Sequence, residues 1–112
     1  MEITSEELDG VRIVAVSGQV DAITSTRLEE ALMGYIDKGA TKMVLDMRDL
    51  LQVTSAGLRV ILFVAQQLHG KGGFALAHPR EEVLEILEMA GFDTILSIYS
   101  SLEEAKNGVE SR

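Results

Sequence analysis

The sequence predicts an α/β fold: a mixed, mostly parallel β-sheet packed with α-helices. Apolar runs of strand length alternate along the chain with stretches whose apolar residues repeat at helical spacing, a pattern typical of parallel sheets. The pair Asp9-Gly10 separates the first two strand-like runs and predicts an opening hairpin, which makes one pairing antiparallel. The predicted element order is β-β-α-β-α-β-α-β-α.

The first elements are a hairpin and a helix. The hairpin joins Glu2–Leu8 to Val11–Ser17, and the second of these strands is almost continuously apolar, as expected where both sheet faces are covered. A helix is predicted near Thr24–Lys38, because hydroxyl residues are available to cap its start and Gly39 is a natural stop.

A strand and a long apolar helix are predicted in the middle of the chain. Met43–Asp46 has the composition of a buried strand, and after a turn the helix runs from Thr54 to about Leu68. One stripe of this helix is expected to face the sheet: Leu58, Ile61, Leu62, Ala65 and Leu68. The other side carries Arg59, Phe63 and Gln66, and Phe63 is a candidate anchor for a partner protein.

Four shorter elements complete the prediction. They are a strand at Phe74–Ala77, a helix near Arg80–Ala90, a strand at Ile95–Ser100 and a helix at Leu102–Gly108. With 112 residues and 46% apolar residues, the chain is long enough for one modest core, so residues 1–112 are predicted to form a single domain.

The charge and composition limit the classes of function. A net charge of −8 argues against nucleic acid or an anionic membrane surface as the main partner and favours a partner with a basic patch. There is no cysteine, and two histidines are too few for a metal site, so we expect neither a metal nor another cofactor. The sequence shows no signal peptide, and no apolar run reaches the ~18 residues of a spanning helix, so we expect a soluble cytoplasmic protein.

The tetrad Thr54-Ser55-Ala56-Gly57 stands where the central strand gives way to the central helix. Partners and ligands of α/β sheets usually bind at this edge, and the free N–H groups of the helix favour an anion there. A hydroxyl at this point is a helix cap, a phosphate acceptor or both. We expect Gly57 to allow close packing of the helix on the sheet, and Asp21 and Asp46 to lie near the same edge as turn residues or site residues.

Three segments, in order and over nearly the whole chain, resemble the STAS domain of bacterial anti-sigma factor antagonists. The strongest is VLDMRDLLQVTSAGLRVIL at residues 44–62, similar to the family's strand, aspartate, loop, small hydroxylic residues, glycine and apolar helix. The second is Ser17-Gly18-Gln19-Val20-Asp21, similar to the family's Gly-x-x-Asp segment. The third is EVLEILEMAGF at residues 82–92, similar to the family's helix and following glycine turn.

The resemblance implies a mechanism and its partners. In that family a serine at the start of this helix is phosphorylated by a partner anti-sigma factor, which is a serine kinase. The dephosphorylated form binds the kinase and frees a sigma factor, and a metal-dependent serine phosphatase resets the cycle. The matching position is Ser55. The residues that we predict to shape the docking surface are Asp21, Asp46, Thr54, Gly57, Arg59 and Phe63.

Two positions depart from the family pattern. Thr54 stands where the family often has an aspartate, and Ala56 stands where a serine or threonine often follows the acceptor. Ser55 is therefore the only serine of the tetrad, and Thr54 is a rival hydroxyl.

One other function, a scaffold, remains open, and a third, an enzyme, is the least expected. Family members also serve as non-phosphorylated scaffold subunits beside transporters or in signalling assemblies. An enzyme is not expected, because the sequence shows no catalytic pair and Ser55 lacks a Gly-x-Ser-x-Gly elbow. The free protein is expected to be a monomer that forms complexes with other proteins.

Overall fold

The computed structural model describes residues 1–111; Arg112, the last residue of the predicted domain, lies outside them. The elements in chain order are β1 Glu2–Leu8, β2 Val11–Val20, α1 Ser25–Asp37, β3 Lys42–Asp46, β4 Leu50–Val53, α2 Ser55–Leu68, β5 Gly73–Ala77, α3 Glu81–Met89, a 3-10 turn Phe92–Thr94, β6 Ser97–Tyr99 and α4 Leu102–Glu110.

The strands form one mixed sheet in the order β1-β2-β3-β5-β6, with β4 paired to the far end of β2. Only the β1–β2 pairing is antiparallel among the pairings of residues 1–111. Asp9 and Gly10 turn this hairpin with φ of 53° and 81°, the left-handed values that a tight two-residue turn requires. The predicted α/β fold with a mixed, mostly parallel sheet is confirmed.

Strand β4 is absent from the predicted element order, which placed a turn between residues 46 and 54. Strand β2 also runs three residues further than predicted, to Val20 rather than Ser17. The first part of β2 pairs with β3 and its last residues pair with β4, and the register of the β2–β4 pairing shifts between Gly18 and Gln19. The end of β2 therefore aligns with the end of β4, with Val20 opposite Val53.

The sheet has a different helix layer on each face. The main core lies on the face covered by α1, α2 and α3 and includes alternate strand residues such as Met43, Leu45 and Leu76. The intervening residues, among them Val44 and Ala77, pack on the opposite face against α4 through Ala105 and Val109. Because both faces are covered, the sequences of the central strands β3 and β5 are almost continuously apolar rather than alternating.

The predicted core stripe of α2 is rotated by about one residue. The buried residues of this helix are Gly57, Val60, Ile61, Val64 and Leu68. Leu58, Leu62 and Ala65, which we expected to face the sheet, are half-buried at the flanks of the core. The prediction missed because α2 is apolar on nearly every side, so its periodicity does not select one face.

Within the described part of the chain, no helix has both the length and the apolar character needed to cross a membrane.

Candidate functional site

The candidate site is built where strands β2 and β4 end side by side. The backbone N–H of Thr54 donates to the carbonyl oxygen of Val20 at 2.9 Å, and the Thr54 hydroxyl donates to the same oxygen at 3.3 Å. These two bonds continue the β2–β4 pairing by one residue and fix the point at which α2 begins. Ser55 is the first residue of that helix.

Ser55 is the accessible hydroxyl of the predicted tetrad. Its side chain is exposed, and it forms no hydrogen bond with any of residues 1–111. Thr54 is half-buried, and its hydroxyl is occupied by Val20. A phosphoryl donor held by another protein can approach the Ser55 hydroxyl without breaking a hydrogen bond, whereas the Thr54 hydroxyl would first lose its bond to Val20.

Neither hydroxyl caps α2. Thr54 has the extended backbone of an N-cap residue, with φ of −100° and ψ of 178°, but its side chain accepts no bond from the helix. Ser55 lies inside the first turn, and its hydroxyl also accepts none. The first N–H groups of the helix are therefore not capped by these side chains, and the reading of Ser55 as a capping residue is not supported.

Gly57 allows α2 to sit directly on the ends of the two strands. It is buried, and a Cβ atom built at this position would lie 2.6 Å from Val53 Cγ2 and 2.8 Å from Val20 Cγ1. Real Cβ atoms essentially never come that close, so a larger residue would force either the two buried valine side chains or the start of α2 to shift. Gly57 thus positions Ser55 and offers no side chain of its own to a partner.

Asp21 organises the neighbouring turn. One oxygen of its carboxylate accepts the backbone N–H groups of Ile23 and Thr24, both at 2.9 Å, and the Thr24 hydroxyl at 3.1 Å. The backbone N–H of Asp21 donates back to that hydroxyl at 2.9 Å. This reciprocal pattern caps the turn that leads into α1, whose residue Ser25 bonds to the Asp21 carbonyl.

The same bonds determine the charge of this turn. The hydrogen bonds donated by Thr24 and Ile23 stabilise the carboxylate and lower the pKa of Asp21 below its ordinary value of 3.8. Asp21 therefore carries a full negative charge at neutral pH, close to the start of α2.

Asp46 does not join these residues. It lies opposite Ala77 in the β3–β5 register, and Ala77 belongs to the core on the α4 face. The Asp46 side chain consequently lies on the opposite side of the sheet from α2, because alternate residues of β3 point to opposite faces. It is only 6% exposed and accepts the backbone N–H of Arg48 at 3.1 Å. We expected Asp46 near Ser55 at the docking edge; the geometry instead makes it a buried residue of the strand end.

Arg59 and Phe63 lie on the outer side of α2, as predicted. Both line a shallow groove between α1 and α2, together with Ser25 and Glu29. Arg59 is exposed, one turn beyond Ser55, and forms no ion pair with any described residue. Phe63 is 37% exposed. The site therefore has one free cation and one partly exposed aromatic ring beside the serine.

Ile23 is a surface residue that the sequence reasoning missed. Its side chain is 84% exposed, in the turn organised by Asp21. An isoleucine between two capping residues, where turns usually carry polar residues, was the signal that could have identified it.

The chemical feature of the Ser55 edge is its accessible hydroxyl. Within residues 1–111, no group of three or more His, Cys, Asp and Glu side chains is arranged to hold a metal ion. A groove of about 760 Å³ lies at the other end of the sheet, between the end of α2 and the segment before β6. What the Ser55 edge offers is a free hydroxyl on a rigid support with a fixed negative charge nearby, which suits a group that is modified and recognised by another protein.

A family model and a known bacterial protein each match most of this chain. A family model for the STAS domain matches residues 2–105. The Bordetella bronchiseptica protein BtrV, provisionally designated an anti-sigma factor antagonist, is 37% identical over 94% of this chain and 91% of its own length.

Solved structures share the fold. The crystal structure of an anti-sigma factor antagonist from Mycobacterium paratuberculosis superposes with a TM-score of 0.92 and 25% identity, covering 97% of this chain and 93% of that one. The anti-sigma factor antagonist SpoIIAA is 18% identical and shares the fold alone. Its unphosphorylated form covers 99% of this chain and 98% of its own with a TM-score of 0.82, and its phosphorylated Bacillus form covers 96% and 99% with a TM-score of 0.73.

Proposed function

The chain belongs to the STAS domain family, and from that premise we propose that it is an anti-sigma factor antagonist that acts by partner switching. In its unphosphorylated form it binds an anti-sigma factor that is also a serine kinase. That kinase phosphorylates Ser55 and the complex dissociates, and a metal-dependent serine phosphatase restores the hydroxyl. The role is regulatory rather than enzymatic.

The observation that carries this proposal is the state of the Ser55 hydroxyl. It is exposed and free of hydrogen bonds to the described residues, at the start of a helix held on the sheet by Gly57. The designation of BtrV supports the antagonist role, and the phosphorylated form of SpoIIAA indicates that a domain of this fold can carry a phosphate.

Phosphorylation at this position changes the surface and spares the fold. A phosphate adds a charge of about −1.5 to −2, and the uncapped N–H groups at the start of α2 favour an anion. The cost falls on the complex, because a kinase surface packed against Ser55 must then accommodate a dianion beside the ionised Asp21. A loss of ~2.7 kcal/mol weakens binding a hundredfold, which requires no rearrangement of the core.

The proposed function also implies an oligomeric state, a location and a class of partner for the protein. We expect a monomer when no partner is bound, and a cytoplasmic location, because the kinase uses ATP. Neither nucleic acid nor a membrane surface is a direct partner, in keeping with the net charge of −8.

The test is incubation of the protein with the anti-sigma serine kinase of the same organism and ATP, followed by mass spectrometry and a binding assay. We expect one phosphate on Ser55 and a weaker complex once it is present. Tight binding to some other subunit with no phosphate on Ser55 would favour the scaffold function instead.

A further inference from the structure

Ile23 presents an apolar side chain to solvent on a rigid support. Its side chain is 84% exposed. The backbone on either side of that side chain is fixed, because the N–H groups of Ile23 and Thr24 both donate to the Asp21 carboxylate at 2.9 Å. Because the backbone is already held, covering this side chain restricts only its own rotamers, and the backbone adds little to the entropic cost of binding.

The turn that carries Ile23 begins at the same strand ends as Ser55. Val20 and Val53 are paired at the ends of β2 and β4, and Ile23 follows Val20 by three residues while Ser55 follows Val53 by two. The two bonds from Thr54 to the Val20 carbonyl hold these turns together. A protein that covers Ser55 therefore meets the Asp21–Thr24 turn as its immediate neighbour.

We propose that Ile23 is the apolar anchor by which the unphosphorylated protein docks on the anti-sigma serine kinase. This inference rests on the proposed function. The kinase is expected to receive Ile23 in an apolar pocket whose rim carries an arginine or lysine facing the Asp21 carboxylate. Anchors of this kind, apolar at the centre with charged groups at the rim, dominate the energy of many interfaces.

The charges of the turn favour the kinase, rather than a second copy of this chain, as the protein that covers Ile23. Asp21 is ionised and adjoins Ile23, so two copies meeting through this turn would bring like charges together. The chain as a whole carries a net charge of −8, which adds to the repulsion between copies and favours a basic surface opposite.

The experiment compares Ile23→Ala with Ile95→Ala in equilibrium binding to the purified kinase, with wild type measured alongside. Ile95 is 56% exposed and lies before β6, at the other end of the sheet from Ser55, so it is a matched control. We expect Ile23→Ala to weaken binding at least tenfold, equivalent to 1.4 kcal/mol, and Ile95→Ala to change it less than twofold. Ile23→Val, which keeps most of the apolar side chain, is expected to fall between wild type and Ile23→Ala.

The outcomes separate this inference from the proposed function. If wild type neither binds the kinase nor accepts phosphate, the proposed function is wrong. If wild type binds and Ile23→Ala binds equally well, only the anchor is wrong. Urea unfolding of each variant confirms that a loss of binding is not a loss of folding. Sedimentation equilibrium of wild type tests the second copy: a dimer that Ile23→Ala dissociates would overturn the assignment to the kinase.

Discussion

Thr54 is joined twice to the carbonyl oxygen of Val20, through its backbone N–H at 2.9 Å and its hydroxyl at 3.3 Å. This pair ties the start of α2 to the end of β2. It also distinguishes two adjacent hydroxyls, because that of Thr54 is bonded to the strand whereas that of Ser55 makes no hydrogen bond to the described residues.

Replacing Ser55 by alanine is expected to abolish phosphorylation and leave the fold intact. The Ser55 hydroxyl makes no hydrogen bond to the described residues, and alanine is the better helix former, so the free energy of unfolding should change by less than about 0.5 kcal/mol. The variant should bind the kinase permanently in the presence of ATP. Mass spectrometry and urea unfolding measure the two effects.

The matched control is Thr54→Val, which removes the other hydroxyl. This variant keeps the backbone bond to Val20 but loses the hydroxyl bond, so it should be destabilised by about 1 kcal/mol. It should still accept phosphate on Ser55. A phosphate found on Thr54 of the Ser55→Ala variant would contradict the proposal that Ser55, and not Thr54, is the phosphate acceptor.

A negative charge at position 55 should weaken the complex without phosphate. Ser55→Asp carries one charge, less than a phosphate, so we expect a partial effect of roughly tenfold in the dissociation constant. Ser55→Asn is close in size and uncharged, and it should bind more tightly than Ser55→Asp. Equal affinity of the two variants, measured by calorimetry, would show that size rather than charge drives release.

Gly57→Ala should destabilise the protein by about 1–3 kcal/mol, since the added Cβ would lie 2.6 Å from Val53 and 2.8 Å from Val20. Gly34 is the control, because it lies within α1 and an added Cβ meets no atom within 4 Å. Gly34→Ala is expected to stabilise the protein by roughly 0.4–1 kcal/mol. Urea unfolding of both variants measures these changes in the free energy of unfolding. An unchanged free energy of unfolding for Gly57→Ala would refute the close approach of α2 to the strand ends.

The Asp21 carboxylate should make stability depend on pH in acid. Its pKa is lowered in the folded protein by hydrogen bonds from Thr24 and Ile23, so folding favours the ionised form. The resulting stabilisation is present above the ordinary value of 3.8 and is lost as the pH falls through the folded-state pKa. Wild type should exceed Asp21→Asn in stability at pH 7, and the difference should shrink below pH 3.8.

The comparison in acid needs a reference residue on the same surface. Glu29 lies on α1 and makes no hydrogen bond or ion pair with the described residues, so Glu29→Gln removes one surface carboxylate without removing such a contact. Unfolding curves at a series of pH values give both differences, and parallel curves for wild type and Asp21→Asn would exclude the capping role of the charge.

The fold class was predictable because strand and helix periods alternate clearly and Asp9-Gly10 marks the hairpin. Strand β4 was not, since Leu50–Val53 has four residues and leads almost directly into α2, too short a run to show a period of two. The serine at the start of α2 was located from the change of pattern alone.

The face on which Asp46 lies could not be predicted, for a physical reason. Both faces of β3 are buried, so Val44 and Leu45 are equally apolar and the sequence carries no sign of which face each residue meets. Only the pairing of Asp46 with Ala77 reveals that it points towards α4. Ile23 was missed because exposure of a single turn residue has no periodic signature.

The arrangement of α4 alone on one face of the sheet has a practical use. The chain contains no cysteine, and Asn107 is an exposed residue of α4, on the side of the sheet away from Ser55 and Ile23. A thiol introduced by Asn107→Cys would be the only one in the molecule and would accept a fluorescent dye at a single place. A dye on α4 would report the binding and release of a partner protein in real time. Because it lies on the opposite face of the sheet, it would not block the surface around Ser55 and Ile23.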